Sequence, residues 1–158
     1  MEMKNNIMRL LESRKITYTA FELPAEKHGA IETARLLDVS ADIVYKTIVV
    51  TRKPAKPILA VIPATHEVNL KKVAKFLGGK KVFLPTQNDA EKLTGLQSGG
   101  ISPLALISKG FVVILSSSAR AHEEIHISGG QRGLNIRLGV DDLVKLTQAQ
   151  VSDISKIK

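Results

Sequence analysis

The chain has 158 residues, the length of one ordinary domain, with 44% hydrophobic and 24% charged residues, so it can bury a single core. Aromatics make up only 4% with no Trp, which leaves the core to aliphatic side chains, and the absence of cysteine excludes disulfides, thiolate zinc sites and a protein thiol nucleophile. The net charge of +8 favours a polyanionic partner, nucleic acid above all; no stretch approaches the ~20 apolar residues of a membrane span, and a soluble, cytoplasmic protein is expected.

In chain order, Ile7, Leu10 and Leu11 follow helical spacing and predict an amphipathic helix over 3–14. Tyr18–Leu23 reads as a strand and Ala30–Leu37 as a second helix, with Ser40 capping a short turn over Ala41–Ile43. Val44–Thr51 is β-branched and apolar on both faces, the pattern of a central strand, and the basic loop Arg52–Pro57 joins it to a second apolar strand, Ile58–Ala64. Asn69 is placed to cap a helix over Leu70–Leu77, stopped by Gly78-Gly79. A short strand is expected at Lys81–Leu84, then a short helix capped by Asn88 with Glu91 and ending at Gly95. Leu96–Ser108 reads as a loop and Phe111–Leu115 as a strand. Glu124–Ser128 and Leu134–Leu138 form a hairpin around Gly129–Gly133, and Asp141–Leu146 is a closing helix. Interleaved helices and strands with hairpins predict one α+β domain over 1–158, built on a mixed, curved sheet surrounded by helices.

Four features could carry chemistry. Lys46 stands on an otherwise apolar strand, where an ammonium must snorkel to solvent, pair, or look into a polar cleft to meet a phosphate or carbonyl oxygen. Gly99-Gly100-Ile101-Ser102-Pro103 either turns the chain or brings free backbone N–H groups up to an oxyanion. It lacks the Gly-Lys-Ser/Thr of a phosphate loop and the G-x-S-x-G of a nucleophile elbow. Ser128-Gly129-Gly130-Gln131-Arg132-Gly133 is a hairpin turn that could equally line a cleft mouth. The lysines from Lys71 to Lys81 form a solubilising or polyanion-binding face.

His122-Glu123-Glu124-Ile125-His126 matches H-E-x-x-H formally. Zinc needs both histidines on one helical face, whereas here they enter a strand, roughly 13 Å apart. No His or Glu follows residue 126, so these are expected to be exposed strand-edge polar residues, and neither metal nor cofactor is expected.

Three segments in this order, Val44–Val50, Gly99–Leu104 and Ser128–Leu134, together with Asn69–Lys75 and Thr94-Gly95, resemble the YbaK/prolyl-tRNA editing domain family over essentially the whole chain. The resemblance implies a free-standing deacylase acting on mischarged tRNA beside prolyl-tRNA synthetase. The Gly-Gly-Ile-Ser-Pro loop is similar to the branch that clears cysteine from tRNA(Pro), by attack of the substrate's own thiol. It further implies that Lys46 engages the tRNA terminus, with Gly99 and Gly100 as backbone contacts to the aminoacyl end. Ser102, Pro103, Ser128, Gly129, Gly130, Arg132 and Asn135 would meet substrate, and Lys71, Lys72 and Lys75 would meet tRNA phosphates. The chain departs from the family at Ala105 and Leu106, at Asn135 where Asp is frequent, and in a shorter Phe21–Ala30 segment. The alternatives are a deacylase for another amino acid, such as alanine on tRNA(Pro), and a non-catalytic tRNA- or synthetase-binding module.

Overall fold

A computed structural model describes residues 4–158. The first helix, α1, spans Asn6–Ser13, within the expected 3–14 (residue 3 lies outside the described residues). Asn5 caps it by accepting from the Met8 N–H at 3.0 Å, and Ile7, Met8 and Leu11 turn to the core. β1 (Tyr18–Glu22) and α2 (Ala30–Leu37) follow as expected, and α2 ends at Asp38 in a left-handed conformation. Ser40 caps the 3-10 turn Ala41–Ile43. β2 (Tyr45–Val50) and β3 (Ile58–Pro63) are the two apolar strands.

β4 (His66–Val68) precedes α3 (Leu70–Phe76), where Asn69 accepts from the Lys72 N–H as the cap rule requires. Over 81–84 there is no strand, only a bridge between Thr51 and Phe83. α4 (Gln87–Thr94) starts earlier than expected: Thr86 accepts from the Asp89 N–H, so Thr86, not Asn88, is the cap. Glu91 instead accepts from the Ser98 N–H at 2.7 Å and anchors the next loop. Within the expected loop 96–108, Pro103–Lys109 forms a 3-10 helix. β5 (Val112–Ser116) leads through another 3-10 turn (Ser117–Ala121) into the hairpin β6 (Glu124–Ser128) and β7 (Leu134–Gly139). α5 (Val140–Thr147) does not close the chain, because β8 (Gln150–Ser152) and β9 (Ser155–Ile157) follow. Three residues are too few to show a period of two.

The α+β architecture has three hydrogen-bonded sheets among the described residues. β2, β3, β5 and β8 make a mixed sheet, antiparallel at β2–β3 and parallel beyond. β1, β7 and β6 make an antiparallel one, and β4 with β9 a two-stranded ribbon. A parallel bridge between Val44 and His126 ties the first two together. Every residue of β3 is buried because both faces of its sheet are covered. Val49, Leu59, Val61 and Leu115 pack with Ile125, Ile127, Ile136 and Leu138 in the main core. Val50, Ile58, Ile62 and Ile114 pack on the other face with Val73 of α3 and Ile154.

His126 is not an exposed edge residue: it is 1% exposed. The face of β6 opposite the main core is covered by Phe21 of β1, whose ring centroid lies 5.4 Å from that of His126. His126 lies on a strand, and no cluster of three or more candidate metal ligands occurs among the described residues. Burial holds the imidazole below the ordinary value of 6.5; Asn135 and Glu124 oppose the shift, and Arg137 on β7 adds to it. A depressed pKa means the unfolded chain binds the proton more readily. His126 therefore contributes its full stability above about pH 6.5 and loses it as pH falls toward the folded value. We expect the urea midpoint of the wild type to drop more between about pH 7.5 and 5 than that of a His126→Gln variant. Equal drops would show that His126 is not buried neutral.

Candidate functional site

One cleft, of about 230 Å³, gathers residues from five parts of the chain. Its floor is Val44 and the start of β2, as far as Ile48. Glu26, His28 and Thr33 stand on one side, Ser98, Gly99 and Ile101 on another, and Ser128 and Asn135 at the mouth of the β6–β7 hairpin close it.

Lys46 is placed by strand alternation. Tyr45 turns into the main core, where its hydroxyl meets Ser118 at 2.7 Å, so Lys46 must take the opposite face with Ile48 and Val50. That face is apolar along the strand and opens only at the cleft. The Lys46 Nζ donates one long hydrogen bond, 3.4 Å, to the Ala64 carbonyl. Among the described residues it forms no salt bridge. An ammonium has three donors, so most of its capacity is free for a ligand. Burial holds its pKa below 10.5, the Lys158 charge adds to this, and Glu67 opposes it. The neighbouring Thr47 also lines the cleft, and its hydroxyl is buried without a partner.

The glycine loop is positioned by its contacts. Gly99 has φ +89°, open to glycine at little cost, and its N–H meets no acceptor among the described residues. The Gly100 N–H is used internally, donating to the Gln97 carbonyl at 2.8 Å. A Cβ at Gly100 would lie 2.9 Å from the Gln131 Cα, so this glycine lets the loop abut the hairpin turn. Arg132 locks the two together by donating from Nε to the Ser98 carbonyl at 2.7 Å.

Of the residues singled out in the sequence, the structure brings Lys46, Gly99, Ser128 and Asn135 to the cleft wall. Gly100 and Arg132 sit behind the wall as its braces. Ser102 is fully buried and accepts from the Leu104 N–H, with Pro103 beside it in the first turn of the 3-10 helix. Gly129 and Gly130 face α1 instead: Asn5 donates to the Gly129 carbonyl at 2.8 Å, and a Cβ at Gly130 would meet Ile7 at 2.8 Å. Lys71 and Lys75 project from α3 into solvent, away from the cleft lining. Lys72 is tied to Asp153 at 2.8 Å and to the Ser155 carbonyl.

The sequence offered no signal for Glu26, His28 or Thr33, which come from a loop and a helix start without a motif, and Thr47 lies in the Val44–Val50 segment but was not singled out there. His126 was missed for another reason. Glu124, His126 and Ser128 alternate on one face of β6, which reads as a wetted face until β1 covers it. His126 meets Asn135 of the cleft wall, Nδ1 to Oδ1, at 2.8 Å.

The family model for the aminoacyl-tRNA editing domain matches residues 25–146. An Enterococcus faecalis (strain ATCC 700802 / V583) protein, EbsC, named as a Cys-tRNA(Pro)/Cys-tRNA(Cys) deacylase, is 35% identical over 156 residues, covering 98% of this chain and 94% of its own. A proline–tRNA ligase of Limosilactobacillus fermentum is 29% identical over 119 residues, 73% of this chain but only 19% of the ligase. Among solved structures, the hypothetical protein APE2540 superposes with a TM-score of 0.87 at 26% identity, covering 96% of this chain and 100% of that one. A structure described as a trans-editing enzyme for prolyl tRNA synthetase superposes with a TM-score of 0.79 at 22% identity, covering 98% and 99%, and shares the fold. With more than half its length matched by the family model and a 35% identical relative matched nearly end to end, the chain belongs to the aminoacyl-tRNA editing domain family.

Proposed function

We propose that this protein is a trans-editing deacylase that removes cysteine from mischarged Cys-tRNA(Pro), using the substrate's own thiol as nucleophile. The observation that carries the reading is the half-buried Lys46 ammonium, held by one long hydrogen bond in the cleft that Gly99, with its free N–H, also lines. The name of the Enterococcus relative supports the same substrate.

The chemistry follows from what lines the cleft. The chain has no cysteine. Among the described residues the Ser–His hydrogen bond, between Ser155 and His66 at 2.7 Å, lies on the β4–β9 ribbon and not in the cleft, while His28 is bonded to the Pro24 carbonyl. An aminoacyl ester is already activated, so the protein has mainly to position it and stabilise the developing oxyanion. The cysteinyl sulfur attacks its own carbonyl carbon. A C–S bond forms, the ester C–O bond breaks, the thiol proton passes to the departing tRNA hydroxyl, and a thiolactone leaves. Lys46 holds a phosphate of the tRNA terminus, and the Gly99 N–H faces the carbonyl oxygen. Proline is excluded because it carries no thiol, a stronger filter than apolar pocket size alone.

On this reading Lys71, Lys72 and Lys75 of α3 offer charge to tRNA phosphates, with Lys72 shared with Asp153. Prolyl-tRNA synthetase is the natural partner, since it makes the mischarged substrate and a ligase carries a matching segment. Translation places the reaction in the cytoplasm. In keeping with this, no helix among the described residues is long and apolar enough to cross a membrane.

Lys46→Ala should fold normally, because it removes a poorly satisfied charge, yet lose on the order of 10²–10³ in deacylation rate. Lys46→Arg should not restore it, because a planar guanidinium does not replace a compact ammonium in a tight site. Single-turnover rates with circular dichroism measure both; a folded Lys46→Ala with wild-type activity would remove Lys46 from the site. A panel of aminoacyl-tRNAs tests the thiol route. Cys-tRNA(Pro) should be cleared, while Ser-tRNA(Pro), which differs by one atom, should be cleared far more slowly. Equal rates would point to attack by water, and faster clearance of Ala-tRNA(Pro) would assign another amino acid.

A further inference from the structure

His126 and Asn135 form a built pair whose consequence lies in the cleft. Their hydrogen bond, at 2.8 Å, is fully buried, and the acceptor is the Asn135 Oδ1. An amide oxygen can only accept, so Nδ1 of His126 carries the proton and Nε2 is a bare lone pair. Nε2 is buried without a partner. With the amide turned the other way, Nε2–H would be a buried, unsatisfied donor, the costlier of the two arrangements. The orientation is thus set by where the imidazole can afford to be empty. It leaves the Asn135 Nδ2 with no protein acceptor among the described residues. That nitrogen is absent from the buried orphan atoms, while Asn135 lines the cleft.

Burial of the imidazole and the nearby Arg137 charge favour this neutral state, while the Asn135 hydrogen bond and the Glu124 charge oppose it. Glu124 lies on β6 and Arg137 on β7, where its guanidinium stacks over Phe21 with its carbon 5.4 Å from the ring centre. Phe21 pairs with Asn135 in the β1–β7 register, and Ser128 pairs with Asn135 from the other side. The strand carrying Asn135 is thus held from both sides, and its carboxamide is fixed at Oδ1 by His126.

We propose that His126 is a positioning residue, which through Nδ1–H turns the Asn135 amide so that its NH2 donates to the carbonyl oxygen of an aminoacyl ester in the cleft. A donor here suits an oxygen and repels the substrate's α-ammonium; Glu26, the one carboxylate in the lining, is the counterpart for that cation. The inference rests on the deacylase reading and adds a second oxyanion donor to the Gly99 N–H, set by a residue that never touches substrate.

The test combines kinetics with the tautomer. On the aminoacyl-tRNA that the wild type cleaves, His126→Phe should lower kcat roughly tenfold, the usual worth of one neutral hydrogen bond, with KM little changed. His126→Gln, which keeps a donor toward Asn135, should recover most of the loss. A purely structural role would lower the melting temperature of both variants without separating their kcat. Imidazole 15N spectra of the wild type should show His126 protonated at Nδ1 and bare at Nε2, and this holds even if His126→Phe fails to fold. An Nε2–H tautomer, or a folded His126→Phe with full kcat while Lys46→Ala is inactive, overturns the inference alone. A wild type inactive on every aminoacyl-tRNA overturns the functional reading and this inference with it.

Discussion

The site depends on a single ammonium that the fold declines to satisfy. β2 must be apolar on both faces, because one packs into the main core and the other against α3 and Ile154. Lys46 breaks that pattern at the end of the strand where the cleft opens, and it receives only the Ala64 carbonyl at 3.4 Å. Burying an under-paired charge is unfavourable, and burial lowers its pKa accordingly. That cost is offset when a phosphate or carbonyl oxygen fills the remaining donor positions.

The rest of the architecture holds other groups on the wall of the same cleft. Glu91 anchors the glycine loop through the Ser98 N–H, and Arg132 anchors it through the Ser98 carbonyl. Gly100 allows the loop and the hairpin turn to touch at a distance no side chain would permit. The hairpin is fixed by Leu134, Ile136 and Leu138 in the main core. Core packing thereby fixes Lys46, Gly99 and Asn135 on the wall of one cleft.

Much of this was legible in the chain. The apolar runs of β2 and β3, the hairpin around Gly129–Gly133 and the Asn69 cap were readable because each carries its own local rule. Lys46 was readable because it contradicts its surroundings. The division into three sheets was not, since pairing between distant strands leaves no local mark, and β4, β8 and β9 are three residues each. The glycines were readable as close approaches, but not which side they face: Gly99 turns to the cleft, while Gly129 and Gly130 turn to α1. The burial of His126 depends on Phe21 arriving from a strand more than a hundred residues away in the chain, and no spacing rule reports that.

The central claim is that Lys46 is a half-buried cation awaiting an anionic ligand, and its own titration tests this most directly. In protein labelled with 13C at lysine Cε, the Lys46 signal, assigned by comparison with Lys46→Arg, should titrate below 10.5. Adding a non-hydrolysable amide analogue of 3′-cysteinyl adenosine 5′-phosphate should raise that pKa, because the bound phosphate favours the charged form. A Lys46 that titrates at the ordinary lysine value and does not respond to the analogue would contradict the account.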